Sequence, residues 1–266
     1  MYLPVVRVRV YAAANACHRS VLVALQSLHQ GWWLGLLDYR HLNLLPALQY
    51  PRWDRYFDDA YNASGLLDWE EQARRDHFPT NGSILVGAAG GGRESVALVR
   101  LGYCVDAFDC VDALVEYSRG FLQRHGIAAR VFLSSPGEVP DNLGRYVGLI
   151  VGWGGYMHIP GRENRIALLR ALRQRVDIGA PLLVSFFTRR GPSRRLDWTY
   201  RVASALRSML CSRDPVEYGD TLDGTFDHLF TRDEVTDEMF AAGFELVLYA
   251  ESPYGHAVGR AIRIPS

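Results

Sequence analysis

The stretch Ser83–Asp109, SILVGAAGGGRESVALVRLGYCVDAFD, constrains this chain more than any other. Ser83–Val86 is a short apolar run behind the Asn81-Gly82 turn and reads as a buried strand. The loop that follows, Gly87-Ala88-Ala89-Gly90-Gly91-Gly92, lets the backbone turn tightly and approach a ligand without side-chain interference. Glu94–Leu101 reads as a helix closed by Gly102, and its free N–H groups point back at the loop. Tyr103–Phe108 reads as the next strand, ending on Asp109. In sheets of this kind a carboxylate about twenty residues after the loop opens meets the hydroxyls of a ribose. The unit is therefore expected to hold a nucleoside-bearing cofactor.

The rest of the chain narrows the chemistry. No lysine occurs, so Schiff-base chemistry, a P-loop lysine and a catalytic lysine base are excluded. The formal net charge is zero, which removes a global pull toward nucleic acid or anionic membranes. Cys17, Cys104, Cys110 and Cys211 make no CxxC pair and no zinc-ligand spacing, so reduced thiols and no metal site are expected. No apolar run reaches transmembrane length. Arg7 and Arg9 interrupt the opening MYLPVVRVRVYAAANAC, which leaves it without the continuous apolar region of a signal peptide. These features read as a cytoplasmic protein with no membrane partner.

After residue 80 strand and helix signals alternate, the mark of an α/β sheet protein. Asp112–His125 reads as a helix, Ala129–Leu133 and Val147–Val151 as strands, Glu163–Val176 as an amphipathic helix and Pro181–Phe187 as a strand. The alternation breaks over residues 188–227, an Arg-rich insertion with one expected helix, Leu196–Leu210. Thr231-Arg232-Asp233-Glu234 is a capping box opening a helix that ends near Gly243. Phe244–Tyr249 and Ala257–Ile264 read as two final strands. The turn between them is too short for a crossover helix, so they pair antiparallel.

Three ligands compete for the glycine loop. A triphosphate loop needs Lys and Ser/Thr after its last glycine, and here Arg93 and Glu94 follow. The dinucleotide pattern GxGxxG and the methyl-donor pattern GxGxG each keep two glycines of three, and the loop alone does not choose between them. The wider sequence resembles a class I S-adenosylmethionine-dependent methyltransferase from Ser83 to Ile264. The resemblance is carried by ILVGAAGGGRESVALVRLGYCVDAFD, LIVGWGGYMHI, LLRALRQRVDIGAPLLVSFF and HLFTRDEV…AAGFELVLYAE.

That resemblance implies a Rossmann-like three-layer α/β sandwich. Its sheet is mostly parallel and seven-stranded with an antiparallel last strand. Residues 81–266 would form the S-adenosylmethionine-binding domain and residues 1–80 an N-terminal helical lid. It also implies a cofactor site. Gly87, Ala88, Gly90 and Gly92 would shape the loop, Asp109 would anchor the ribose, and Cys110 would flank the adenine. Ser134 or Ser135 stands where the family often has an acid near the adenine amino group, and Val86 where it usually has one after the first strand. Gly152 and Trp153 would sit beside the methionine. Tyr61, or else Tyr56, would close over the donor.

On the acceptor side the resemblance implies Trp153, Tyr156 and His158 after the fourth strand, with His158 as a base, and His228 facing the substrate pocket. Each histidine can equally serve as a structural hydrogen-bonding group. Nucleic-acid amino-methyltransferases carry a Pro-Pro-aromatic motif where this chain has Gly152-Trp153-Gly154-Gly155, so a small-molecule acceptor is expected rather than a polynucleotide. A helix over His18–Leu37 can pack on the core or on a second copy, as a homodimer would require. Two other readings stay open: an NAD-dependent oxidoreductase, and a binding module that keeps the fold without catalysis.

Overall fold

A computed structural model describes residues 3–263. The chain opens with a 34-residue helix, α1 (Leu3–Leu36), then α2 (Tyr39–Gln49), two short 3-10 turns (Tyr50–Arg52 and Asp54–Phe57), α3 (Asp59–Asn62) and α4 (Asp68–His77). The alternating part follows: β1 (Ser83–Gly87), α5 (Arg93–Arg100), β2 (Cys104–Asp109), α6 (Asp112–Arg124), β3 (Ala129–Leu133), β4 (Gly148–Val151), α7 (Arg162–Arg173) and β5 (Pro181–Phe186). Next come α8 (Arg194–Met209), a hairpin of β6 (Asp220–Asp223) and β7 (Thr225–His228), α9 (Arg232–Ala241), β8 (Phe244–Ala250) and β9 (Gly255–Ala261).

Seven strands form one sheet in the order β3-β2-β1-β4-β5-β9-β8. Only β9 runs against its neighbours, pairing antiparallel with β5 and β8. The expected fold class is thus observed. The central strands are covered on both faces: Ile84, Leu85, Val86 and Leu149 have no exposure, which is why they read as unbroken apolar runs. One core layer packs Trp69, Val96, Leu98, Phe121 and Leu122 on the sheet; the other packs Ile166, Leu169, Val235, Met239 and Phe244. Thr231 Oγ1 accepts from the Glu234 N–H at 3.3 Å and Glu234 Oε2 from the Thr231 N–H at 2.7 Å, the expected capping box at the start of α9.

The order reverses between β1 and β4, whose loops leave in opposite directions. A crevice therefore opens beyond the carboxyl ends of these strands, where such sheets bind ligands.

Two expectations are corrected. The first helix spans Leu3–Leu36 rather than His18–Leu37, and it packs on α8 instead of over the sheet. Gly31 and Gly35 permit that contact, since a Cβ there would lie 2.7 Å from the Thr199 carbonyl oxygen and 2.6 Å from Leu206 Cβ. The insertion holds a hairpin as well as the expected helix. The expected end of the last strand, Ile264, lies outside the described residues. Among those residues no helix is long and apolar enough to cross a membrane.

Candidate functional site

The floor of the crevice is set by how closely two loops approach. Gly87 ends β1, and the Gly152 N–H donates to its carbonyl at 2.7 Å. A Cβ on Gly152 would strike the Ala88 oxygen at 2.4 Å, and one on Gly155 would strike Ala88 Cβ at 2.3 Å. The run Gly152-Trp153-Gly154-Gly155 is therefore glycine-rich because the Ala88 turn leans on it. Ala88 itself has φ +51°, a left-handed conformation that costs an alanine free energy and marks the loop as constrained. Gly92 (φ +104°) starts α5 and sits against Ser118, behind the loop. Gly92 and Gly152 thus shape the site without lining it, unlike Gly87 and Ala88.

Asp109 is buried at the end of β2. Its Oδ2 accepts from the Gly90 N–H at 2.8 Å and its Oδ1 from the Val111 N–H at 2.9 Å. Burial raises its pKa, against the pull of those N–H groups and that of Cys110. Each oxygen keeps a further lone pair for a ligand hydroxyl. Gly87, Ala88, Asp109, Cys110, Ser135 and His158 all line one crevice with about 570 Å³ of empty space. Tyr61, Gly90 and Trp153 line an adjoining groove, together with Tyr56, Arg93 and Glu94. In that groove Arg93 is buried between two carboxylates, Glu70 at 2.6 Å and Glu94 at 2.6 Å. Glu70 takes both terminal nitrogens of the guanidinium from behind, and Glu94 lines the groove itself. Burial raises the Glu70 pKa despite its bonds to Arg93.

His158 stands between this crevice and a second space of about 700 Å³. Its Nδ1 donates to the Phe226 carbonyl at 2.8 Å and lies 2.9 Å from Asp227 Oδ1. The N–H points at the carbonyl, and the carboxylate lies beside the ring, where it would stabilise an imidazolium. With the proton fixed on Nδ1, Nε2 is the basic atom, and it accepts from the Tyr50 hydroxyl at 2.9 Å. Burial lowers the His158 pKa, but Asp227 and the Phe226 carbonyl outweigh it and the net shift is upward.

Two of the expected acceptor-side residues point elsewhere. Tyr156 has no exposed surface; its ring stacks on Phe230 and its hydroxyl donates to Glu238. His228 is 1% exposed, with Nδ1 2.7 Å from Asp220 Oδ1. Both belong to a buried polar network centred on Arg165, which bonds Glu238 at 2.6 Å and Glu217 at 2.7 Å. Glu217, Asp220 and His228 are close enough to share a cation, but Arg165 already pairs with Glu217 at 2.7 Å and His228 Nδ1 already bonds Asp220 at 2.7 Å. Neither Tyr156 nor His228 reaches the pocket. The reason is strand alternation: in β7, Phe226 and His228 face inward, which leaves Asp227 turned toward His158.

The segment after α2 walls the second space and the groove at the glycine loop, while Asn43 and Pro46 of α2 line the crevice. Tyr50, Trp53 and Tyr56 cluster with ring centroids 4.9 to 6.0 Å apart, and Tyr61 meets Tyr56 edge-on at 6.1 Å. Tyr50 is the innermost, set against His158. Its pKa is raised first by burial and then by Tyr56, so the phenol stays protonated as a donor.

No family model matches the sequence, and no curated protein matches it in sequence. Solved structures do match in shape. A methyltransferase of Methanosarcina mazei, described as S-adenosylmethionine-dependent, aligns at TM-score 0.56 and 15% identity, covering 75% of this chain and all of its own. The fold is that of the S-adenosylmethionine-dependent methyltransferases. A sugar N-methyltransferase of Streptoalloteichus gives TM-score 0.56 at 15% identity, over 80% of this chain and 92% of its own. A magnesium protoporphyrin IX methyltransferase of Synechocystis, crystallised with bound S-adenosylmethionine, gives 0.51 at 13% identity, over 83% and 94%.

The methyltransferase fold leaves Asp227, Tyr50 and Trp53 to be found from this chain's geometry. The Asp223-Gly224 pair between Thr221-Leu222 and Thr225-Phe226 is a hairpin signal that locates Asp227. The histidine–carboxylate pair has a measurable consequence. A histidine whose folded pKa exceeds the unfolded value of about 6.5 adds stability that is fully present below that value. The contribution is lost as pH rises through the folded pKa. Replacing Asp227→Asn should therefore lower the urea midpoint most on the acid side, with the deficit shrinking toward alkaline pH. A deficit that grows with pH contradicts the pairing.

Proposed function

We propose that this protein is an S-adenosylmethionine-dependent methyltransferase acting on a small-molecule hydroxyl or amine, with His158 as general base and Asp227 as its partner. The observation that carries the reading is the charge at the glycine loop. A dinucleotide would put a pyrophosphate beside the Glu94 carboxylate, which lines the groove at the glycine loop. A cationic sulfonium with an α-ammonium group suits that groove instead. This favours the methyl donor over NAD.

The rest of the crevice fits the same ligand. On this reading Asp109 would accept from ribose hydroxyls, Cys110 and Ser135 would bracket the adenine, and Trp153 and Gly90 would border the methionine end, all of them lining residues. Tyr56 and Tyr61 would close over it, with residues 39–62 as the lid.

When bound, the donor supplies a methyl activated by positive sulfur: the acceptor–methyl bond forms as the sulfur–methyl bond breaks, its electron pair staying on sulfur. The protein's part is alignment, exclusion of water and custody of one proton. Nε2 of His158 takes the acceptor proton, and Asp227 stabilises the imidazolium that results. Because the His158 pKa is raised, turnover should increase with pH through the folded value. His158→Gln should abolish that rise.

Calorimetry tests the reading. S-adenosylhomocysteine should bind at micromolar strength or better and NAD should not. Asp109→Ala should weaken S-adenosylhomocysteine binding by about ten- to a hundredfold, the worth of one or two hydrogen bonds to a charged group. Binding of NAD in preference, or of neither ligand, would refute the assignment.

A homodimer is the assembly α1 favours. Ala13, Ala16, Ser20 and Ala24 continue, at helical spacing, the side on which Ser27, Gly31 and Gly35 seat α8. Among the described residues nothing covers that upper half, and Val5, Val8, Tyr11, Leu22 and Leu25 are each about half exposed or more. A second α1 laid antiparallel would continue the same close packing and keep the two Arg7-Arg9 ends apart. Its charges lie around the helix, which leaves no polar face for lying on a membrane. Sedimentation should show a dimer, and Ala16→Glu a monomer; a monomeric wild type contradicts this.

A further inference from the structure

The second space beside His158 carries its own information about the acceptor. Its walls are aromatic: Tyr50, Trp53 and Tyr56 on one side, Trp153 and Phe187 on the other. Trp153 and Phe187 meet edge-on at 6.3 Å, so they form a corner and not a flat platform. The polar groups on this lining are few, chiefly His158, Asp227, Thr225 and Arg55. A polyhydroxylated ligand would lose water from many groups and find few replacements, which costs free energy for each one left unpaired. A planar apolar body suits such walls better.

The charges narrow it further. Asp227 lies 2.9 Å from His158 Nδ1 with its side chain 14% exposed, so its carboxylate faces the imidazole and not the exposed edge of the space. Arg55 is different. Its guanidinium lies 4.2 Å over the Tyr61 ring, and among the described residues no carboxylate lies within 4 Å of it. The charge at the exposed edge of this space is therefore positive, while Asp227 sits inward beside the half-buried His158. A cationic amine would be repelled there and an anion attracted.

We propose that the acceptor is a phenolic acid: a planar aromatic compound whose hydroxyl meets His158 and whose carboxylate meets Arg55. This rests on the methyltransferase reading above. The hydroxyl takes the position that the Tyr50 hydroxyl holds, 2.9 Å from Nε2, and Tyr50 turns aside to cover the ring. Arg55 acts as a specificity determinant through charge, with its planar face held by Tyr61.

A charge series tests it by binding alone. Calorimetry in the presence of saturating S-adenosylhomocysteine compares 4-hydroxyphenylacetate, its isosteric amide 4-hydroxyphenylacetamide, and tyramine, whose tail of the same length is cationic. The acid should bind at least tenfold tighter than the amide, and the amine weakest. Arg55→Gln should bring the acid down to the amide's affinity. The inference is overturned if the amine or amide binds as tightly as the acid, if the preference survives Arg55→Gln, or if none of the three binds while S-adenosylhomocysteine does. Failure of S-adenosylhomocysteine itself to bind would instead strike the methyltransferase reading, and this inference with it.

Discussion

Arg165 is the side chain on which the acceptor side of this molecule depends. It is 1% exposed and holds Glu238 of α9 and Glu217 of the segment before the hairpin. Tyr156 joins through Glu238, and His228 through Asp220 and Glu217. Buried charges of this kind add little net stability when complete, yet losing one partner costs about 3–5 kcal/mol. What the network provides is position. It fixes the β6–β7 hairpin against the loop after β4, with the His228 N–H bonded to the Met157 carbonyl at 2.9 Å. One residue either way along both chains, Asp227 and His158 then meet.

The cofactor side rests on a different constraint, the approach of backbone to backbone. Ala88 holds a left-handed turn, Gly152 and Gly155 give it room, and Asp109 closes the loop through the Gly90 N–H. Where the family usually has an acid after the first strand, this chain has Val86, wholly buried. The carboxylate that faces the groove is Glu94, held with Glu70 around Arg93. Glu70 is delivered by α4, which lies before the sheet in sequence, so the N-terminal region is part of the site's electrostatics as well as its roof.

Much of this was legible from sequence. Strands such as Ala129–Leu133 and Pro181–Phe186 are short apolar runs between turn residues, and their type and place follow from pattern alone. Asp109, Cys110, Ser135 and His158 were expected in the site and lie in one crevice. Tyr156 and His228 were also expected there and are buried elsewhere. Residue type and spacing place a side chain on a loop, but which way it turns depends on partners far along the chain, here Glu238 and Asp220. The extent of α1 does not show in the sequence because Arg7, Arg9, Asn15 and Arg19 are spread around its first half and leave no helical periodicity to read. Asp227 was missed because the Asp-Gly turn was not weighed as a hairpin, although that signal was present.

The central claim is that the crevice beyond β1, β2 and β4 holds a methyl donor with its sulfur end toward His158. A crystal structure with S-adenosylhomocysteine tests this most directly. The account predicts ribose hydroxyls on Asp109, adenine between Cys110 and Ser135, and the sulfur facing the space shared by Trp153 and His158. A ligand with its ribose away from Asp109, or its sulfur turned from His158, would contradict it.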